Sequence, residues 1–152
     1  MLTLPIKKKW FDMITTGEKL EEYRKITPYY ETRFKNLFGE LDDEGNRVLN
    51  EESTRNHRNI KLRNGYASNS PHVIIEATLR EDFGVRDWGA NPIELYYVLK
   101  IHKILKIQFD ENHILYLCDG EGCKSKCHGK NNFCKFTSDF EHSIWRKKLE
   151  GG

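Results

Sequence analysis

The spacing of apolar residues changes along the chain, and each change predicts an element. Over 6–16, Trp10, Met13 and Ile14 recur at i, i+3 and i+4, one face of a helix, with Lys7-Lys8-Lys9 ahead of them. Gly17 follows, where a helix C-cap uses the left-handed conformation that glycine reaches cheaply. A second helix is predicted from Thr27-Pro28, because threonine caps and proline suits the first turn. Tyr30, Phe34 and Leu37 repeat on one of its faces, and Gly39 ends it. Residues 42–54, DDEGNRVLNEEST, have weak periodicity and read as an exposed loop or irregular insertion. From Ile60 the period falls to two: Ile60 and Leu62 alternate with Lys61 and Arg63, and Asn64-Gly65 signals a turn.

Val73, Ile75, Ala77 and Leu79 alternate with Ile74, Glu76, Thr78 and Arg80, the pattern of a strand. Gly84 and Gly89-Ala90-Asn91-Pro92 bound another loop. Tyr96-Tyr97-Val98-Leu99-Lys100-Ile101 is rich in strand formers, and Ile104–Phe109 and Ile114–Leu117 are predicted as two further strands. A last helix is predicted from about residue 139, with Ser138 and Glu141 as a capping box and Phe140, Ile144 and Trp145 as its stripe. Strands of mixed length with flanking helices predict an α+β domain built on a small antiparallel sheet or barrel. No repeat and no low-complexity linker divides 1–152, so one domain is expected.

Composition agrees with a packed domain. The chain has 152 residues, 38% hydrophobic and 32% charged, and 12% aromatics argue against disorder. No apolar run approaches the roughly 20 residues of a membrane helix. Met1-Leu2-Thr3-Leu4-Pro5 leads into lysines without an apolar export segment, so an unexported, cytoplasmic protein is expected. The net charge of +2 does not announce nucleic-acid binding, but the distribution matters more than the sum. Residues 54–64, TRNHRNIKLRN, hold four basic residues and no acid, and 123–135 hold four lysines and no acid. Arg146-Lys147-Lys148 add a third basic run.

The densest motif is Gly17-Glu18-Lys19-Leu20-Glu21-Glu22-Tyr23-Arg24, of pattern G-x-K-x-x-E-x-R. If 19–24 is extended, Lys19, Glu21 and Tyr23 point one way and Leu20, Glu22 and Arg24 the other, so Glu22 and Arg24 can pair. An ordinary charged edge segment has the same composition. The motif resembles the signature of the ASCH family, and every fixed position is present. The resemblance extends to Pro5-Ile6-Lys7-Lys8-Lys9-Trp10-Phe11, to Arg63-Asn64-Gly65-Tyr66 and Ser70-Pro71, and to Trp88-Gly89-Ala90 with the strand 96–101, over roughly residues 3–109. It is with the phage and bacterial members that the match is made.

The resemblance implies a PUA-like β-barrel with peripheral helices and a cleft suited to RNA or a nucleotide-like ligand. Carried over by position, Lys19, Glu22 and Arg24 are the cleft residues. Lys19 meets a phosphate or base carbonyl, Glu22 accepts from an exocyclic amine or orients Arg24, and Arg24 clamps a phosphate bidentately. Tyr23, Arg63, Asn64, Tyr66 and Trp88 are further candidates for ligand contact, and Trp10 is expected in the core. Some members of the family are hydrolases of RNA or modified nucleosides, and in such a reading Lys19 and Glu22 are catalytic. The small members that hydrolyse an acetyl amide on cytidine have threonine in the place of Glu22. Lys19 as a general base also needs a strongly lowered pKa, which burial or a second cation supplies and Glu22 opposes. Those enzymes use a further carboxylate, for which Glu76, Glu81 and Asp87 are candidates. His57, His72 and His113 read as surface histidines. A structural or protein-interaction domain is the third class.

All four cysteines fall in one segment, Cys118-x4-Cys123-x3-Cys127-His128-x5-Cys134. Four thiolates about a tetrahedral centre suit a structural Zn²⁺, with glycines at 120, 122 and 129 allowing tight turns and lysines at 124, 126 and 130 offsetting charge. Free thiols and disulfides are the alternatives, and His128 can replace one cysteine. This Cys-rich extension, 118–152, lies beyond the ASCH-like blocks.

Overall fold

The computed structural model describes residues 1–110 and 113–116. The cysteine segment, the helix predicted from 139 and the end of the last strand at Leu117 lie outside the described residues. Strands Leu2–Pro5 (β1), Glu21–Lys25 (β2), Glu40–Leu41 (β3), Arg47–Val48 (β4), Arg58–Arg63 (β5), His72–Phe83 (β6), Leu95–Asp110 (β7) and His113–Tyr116 (β8) accompany two helices, Lys8–Thr15 (α1) and Pro28–Phe38 (α2). The protein is therefore an α+β fold on a mixed, mostly antiparallel sheet.

The main sheet runs β1-β5-β6-β7-β2, with β8 also on β7. Its β1–β5 pairing is parallel, and the rest are antiparallel. β2 pairs with the first part of β7 (Glu21 opposite Lys100, Lys25 opposite Tyr96), and β8 pairs with its last part. Among the described residues no ladder joins the two edge strands β1 and β2. They approach each other all the same, because Arg24 at the end of β2 donates from Nη2 to the Pro5 carbonyl at the end of β1, at 2.5 Å.

The alternation of β6 is as predicted: Val73, Ile75, Ala77 and Leu79 are buried. The two predicted strands at 96–101 and 104–109 are one continuous strand, β7. Its pairing with β6 slips twice, passing over Leu105 and His102. Each extra residue turns the alternation by one, so buried positions fall at Ile101, Ile104 and Ile107 instead of every second residue. The insertion at 42–54 is also more ordered than predicted. β4 lies in it and pairs with β3 just ahead of it, the two-residue ladder being closed by Asp42 Oδ1 accepting from the Asn46 amide at 2.8 Å, and a 3-10 turn over Glu52–Arg55 follows.

α2 starts and stops on the signals in the sequence, and α1 stops on its glycine but starts at Lys8 without a side-chain cap. Thr27 Oγ1 accepts from the Tyr30 amide at 3.4 Å, Pro28 opens α2, and Gly39 caps it. Gly17 has φ of 82°, and the amides of Glu18 and Lys19 both return to the Met13 carbonyl. The core holds Phe11 and Ile14 of α1, Phe34 and Phe38 of α2, and the inward face of the sheet, with Phe34 edge-on to Tyr97 at 5.2 Å. α1 is rotated relative to the predicted stripe. Phe11 is the buried member of the Trp10-Phe11 pair, and Trp10 packs only partly on the core. A smaller cluster gathers Tyr23, Ala90, Tyr96 and Val98.

Candidate functional site

The gap between the two edge strands is a cleft of about 620 Å³. Pro5 and Ile6 lie on one side, Glu22 and Arg24 on the other, and Arg63-Asn64-Gly65-Tyr66, Trp10, Tyr30 and Trp88 complete it. Asn64 closes the wall by donating from Nδ2 to the Ile6 carbonyl at 2.9 Å.

Lys19 is reached by the turn after α1 and not by strand alternation, since β2 begins only at Glu21. The predicted split of the motif into two faces therefore fails at Lys19. Its side chain is fully buried. Its Nζ donates to the Trp88 carbonyl at 2.5 Å, lies 3.7 Å from Glu22 Oε1, and faces the rings of Trp10 at 5.0 Å and Tyr23 at 4.8 Å. Two aromatic faces, a carbonyl and a carboxylate replace the hydration an ammonium loses on burial. Burial pulls the Lys19 pKa below the ordinary lysine value; Glu22 opposes that pull and Arg24 adds to it.

Glu22 and Arg24 pair on one face as the spacing predicts, with Arg24 Nη1 3.1 Å from Glu22 Oε1. Glu22 thus stands between two cations. Of the donor edges with which Arg24 could clamp a phosphate, the one at Nη1 is used within the protein. Nη1 also donates to the Tyr23 carbonyl at 3.0 Å and Nη2 donates to the Pro5 carbonyl, which leaves Nε without a partner. Tyr23 lines the cleft, but its hydroxyl is occupied as well. It donates to Glu21 Oε1 at 2.8 Å and accepts from the Val85 amide at 2.9 Å, and burial pushes its pKa up.

Further groups that a ligand can meet are at the mouth. Tyr66 is 94% exposed and presents its ring to solvent. Lys7 lines the cleft and is exposed, and Arg63 stands beside it with its Nε on the Gly65 carbonyl at 3.0 Å. Neither cation has a carboxylate within ion-pair distance among the described residues. The basic run 54–64 does not form one patch. Arg55 pairs with Glu51, Arg58 Nε donates to the Leu37 carbonyl at 3.1 Å, and Arg63 alone of its arginines lines the cleft.

None of the further carboxylate candidates is here. Glu76 meets His57 at 3.1 Å and Lys103 at 3.9 Å, Glu81 lines a separate cavity beside Tyr97, and Asp87 lies in the 3-10 turn Arg86–Trp88. Glu22 is the only carboxylate lining the cleft among the described residues. His72, expected at the surface, is buried, with Nδ1 3.1 Å from the Ser70 carbonyl. No group of three or more His, Cys, Asp or Glu is placed to hold a metal among the described residues.

Sequence reading missed Lys7 and Tyr30 as cleft residues, and Trp10, expected in the core, packs partly against it and also lines the cleft. No family model matches the chain, and comparison with curated proteins and with solved structures finds no match.

Proposed function

We propose that the cleft binds RNA or a nucleotide-like ligand, with an unpaired base among the aromatic side chains and phosphates toward Lys7 and Arg63. The observation that carries this is the combination at one opening of Trp10, Tyr30, Tyr66 and Trp88 with two unpaired cations. Stacking rings with a cationic margin are the elements single-stranded nucleic-acid sites share. The ASCH resemblance and its PUA-like barrel belong to the same proposal. Support comes from the G-x-K-x-x-E-x-R motif lying where the two edges of the sheet meet. Tyr66→Ala tests the reading cleanly, because an exposed ring contributes little to folding. RNA affinity is expected to fall by the ~1–3 kcal/mol of one stacked base, with an unchanged melting temperature. Unchanged affinity contradicts it.

Hydrolysis of a modified nucleoside or of RNA is the second reading, and the lowered Lys19 pKa favours it. Against it, Nζ is fully enclosed and already donates to Trp88. With Lys19 as a general base, Lys19→Arg abolishes turnover, because a guanidinium does not give up its proton at workable pH. Absence of turnover by the unmodified protein on acetylated cytidine and single-stranded RNA leaves binding as the function.

A further inference from the structure

Two polar atoms of the Glu22–Arg24 pair are buried without a hydrogen-bond partner: Oε2 of Glu22 and Nε of Arg24. They are of opposite sense, since a carboxylate oxygen accepts and a guanidinium N–H donates. They come from neighbouring same-face positions of β2, and both residues line the cleft. Glu22 is 3% exposed. A buried charged group left with an empty bonding position costs stability, and such orphans mark places where a partner belongs.

We propose that the floor of the cleft reads one unpaired nucleobase through an edge carrying an N–H donor beside an acceptor, the donor meeting Glu22 Oε2 and the acceptor meeting Arg24 Nε. This rests on the reading of the cleft as a nucleic-acid or nucleotide site and specifies which part of the ligand enters it. A phosphate does not suit the floor. It brings only acceptors, leaves Oε2 unsatisfied, and meets the Glu22 carboxylate as a like charge. Nη1 of Arg24 is held by Glu22 and Tyr23, and Nη2 donates to Pro5. Trp10, Tyr30 and Trp88 line the same cleft, and every nucleobase has such an edge: an amine beside a ring nitrogen in adenine and cytosine, an imino N–H beside a carbonyl in guanine and uracil. Affinity then resides in the base, and phosphates contribute only at Lys7 and Arg63.

The test is calorimetric titration of the protein with adenosine, cytidine, guanosine, uridine and ribose 5-phosphate. Each nucleoside is compared with an analogue lacking the donor: purine riboside, pyrimidin-2-one riboside, N1-methylguanosine and N3-methyluridine. At least one nucleoside is expected to bind more tightly than ribose 5-phosphate, and its analogue to bind about tenfold or more weakly, as for a hydrogen bond to a charged group. Glu22→Gln narrows that ratio. Two results overturn the proposal: ribose 5-phosphate binding as well as any nucleoside, or an analogue matching its parent, which means that solvent satisfies the two atoms. If single-stranded RNA binds while the edge makes no difference, the cleft reading stands and this one falls. If neither RNA nor any nucleoside binds, both fall. The analogue comparison needs no variant, so it decides even where Glu22→Gln fails to fold.

Discussion

Glu22 is the hub of the buried charges, and the consequences of removing each partner are unequal. Glu22→Ala leaves Lys19 and Arg24 facing each other without their shared carboxylate, a broken buried pair that costs about 3–5 kcal/mol. Lys19→Met removes an ammonium whose burial is itself unfavourable and leaves Glu22 paired with Arg24, so its cost is expected under about 2 kcal/mol. Urea unfolding of the two variants checks the order, and equal losses contradict the hub assignment. The pairing of Glu22 with Arg24 was legible from i, i+2 spacing on a strand. The enclosure of Lys19 was not, because the Trp88 carbonyl that it meets is 69 residues away along the chain.

Between elements, the turn at Trp88-Gly89 links α1 to the motif. Gly89 has φ of 103°, and a Cβ there would lie 2.9 Å from the Trp10 ring. Gly89→Ala therefore combines a backbone penalty of about 1–2 kcal/mol with displacement of Trp10, and it moves the carbonyl that holds Lys19. Lower stability together with a changed Trp fluorescence spectrum is the expected result. The sheet carries a separate dependence on acid. Burial holds His72 of β6 and His102 of β7 below the ordinary histidine pKa, with His57 adding to the effect at His102. The unfolded chain then takes up these protons first, so stability is complete above about pH 6.5 and falls as pH drops from there toward the folded values. Urea midpoints at pH 7.5 and 5.5 are expected to differ, and less so in His72→Gln. Strand alternation and caps made β6, α1 and α2 readable. The two register slips in β7 and the β3–β4 ladder were not, since a bulge and a two-residue pairing are decided by partners and not by local period.

For the whole molecule, no helix among the described residues is long and apolar enough to cross a membrane. The proposed zinc site at Cys118, Cys123, Cys127 and Cys134 belongs to this scale, as a staple for a segment with one large apolar residue, Phe133, between its first and last cysteines. Elemental analysis of protein purified without chelator is expected to find about one equivalent of zinc, and Cys127→Ser to lower it; less than about a tenth of an equivalent rejects the site. The central claim, that RNA occupies the cleft with its phosphates at Lys7 and Arg63, is tested most directly by titrating a labelled single-stranded RNA at several salt concentrations. Two phosphate contacts on a single strand predict a log–log slope of about −1.4, or roughly a sevenfold loss of affinity between about 50 and 200 mM salt. No binding at the lowest salt, or an affinity indifferent to salt, contradicts the account.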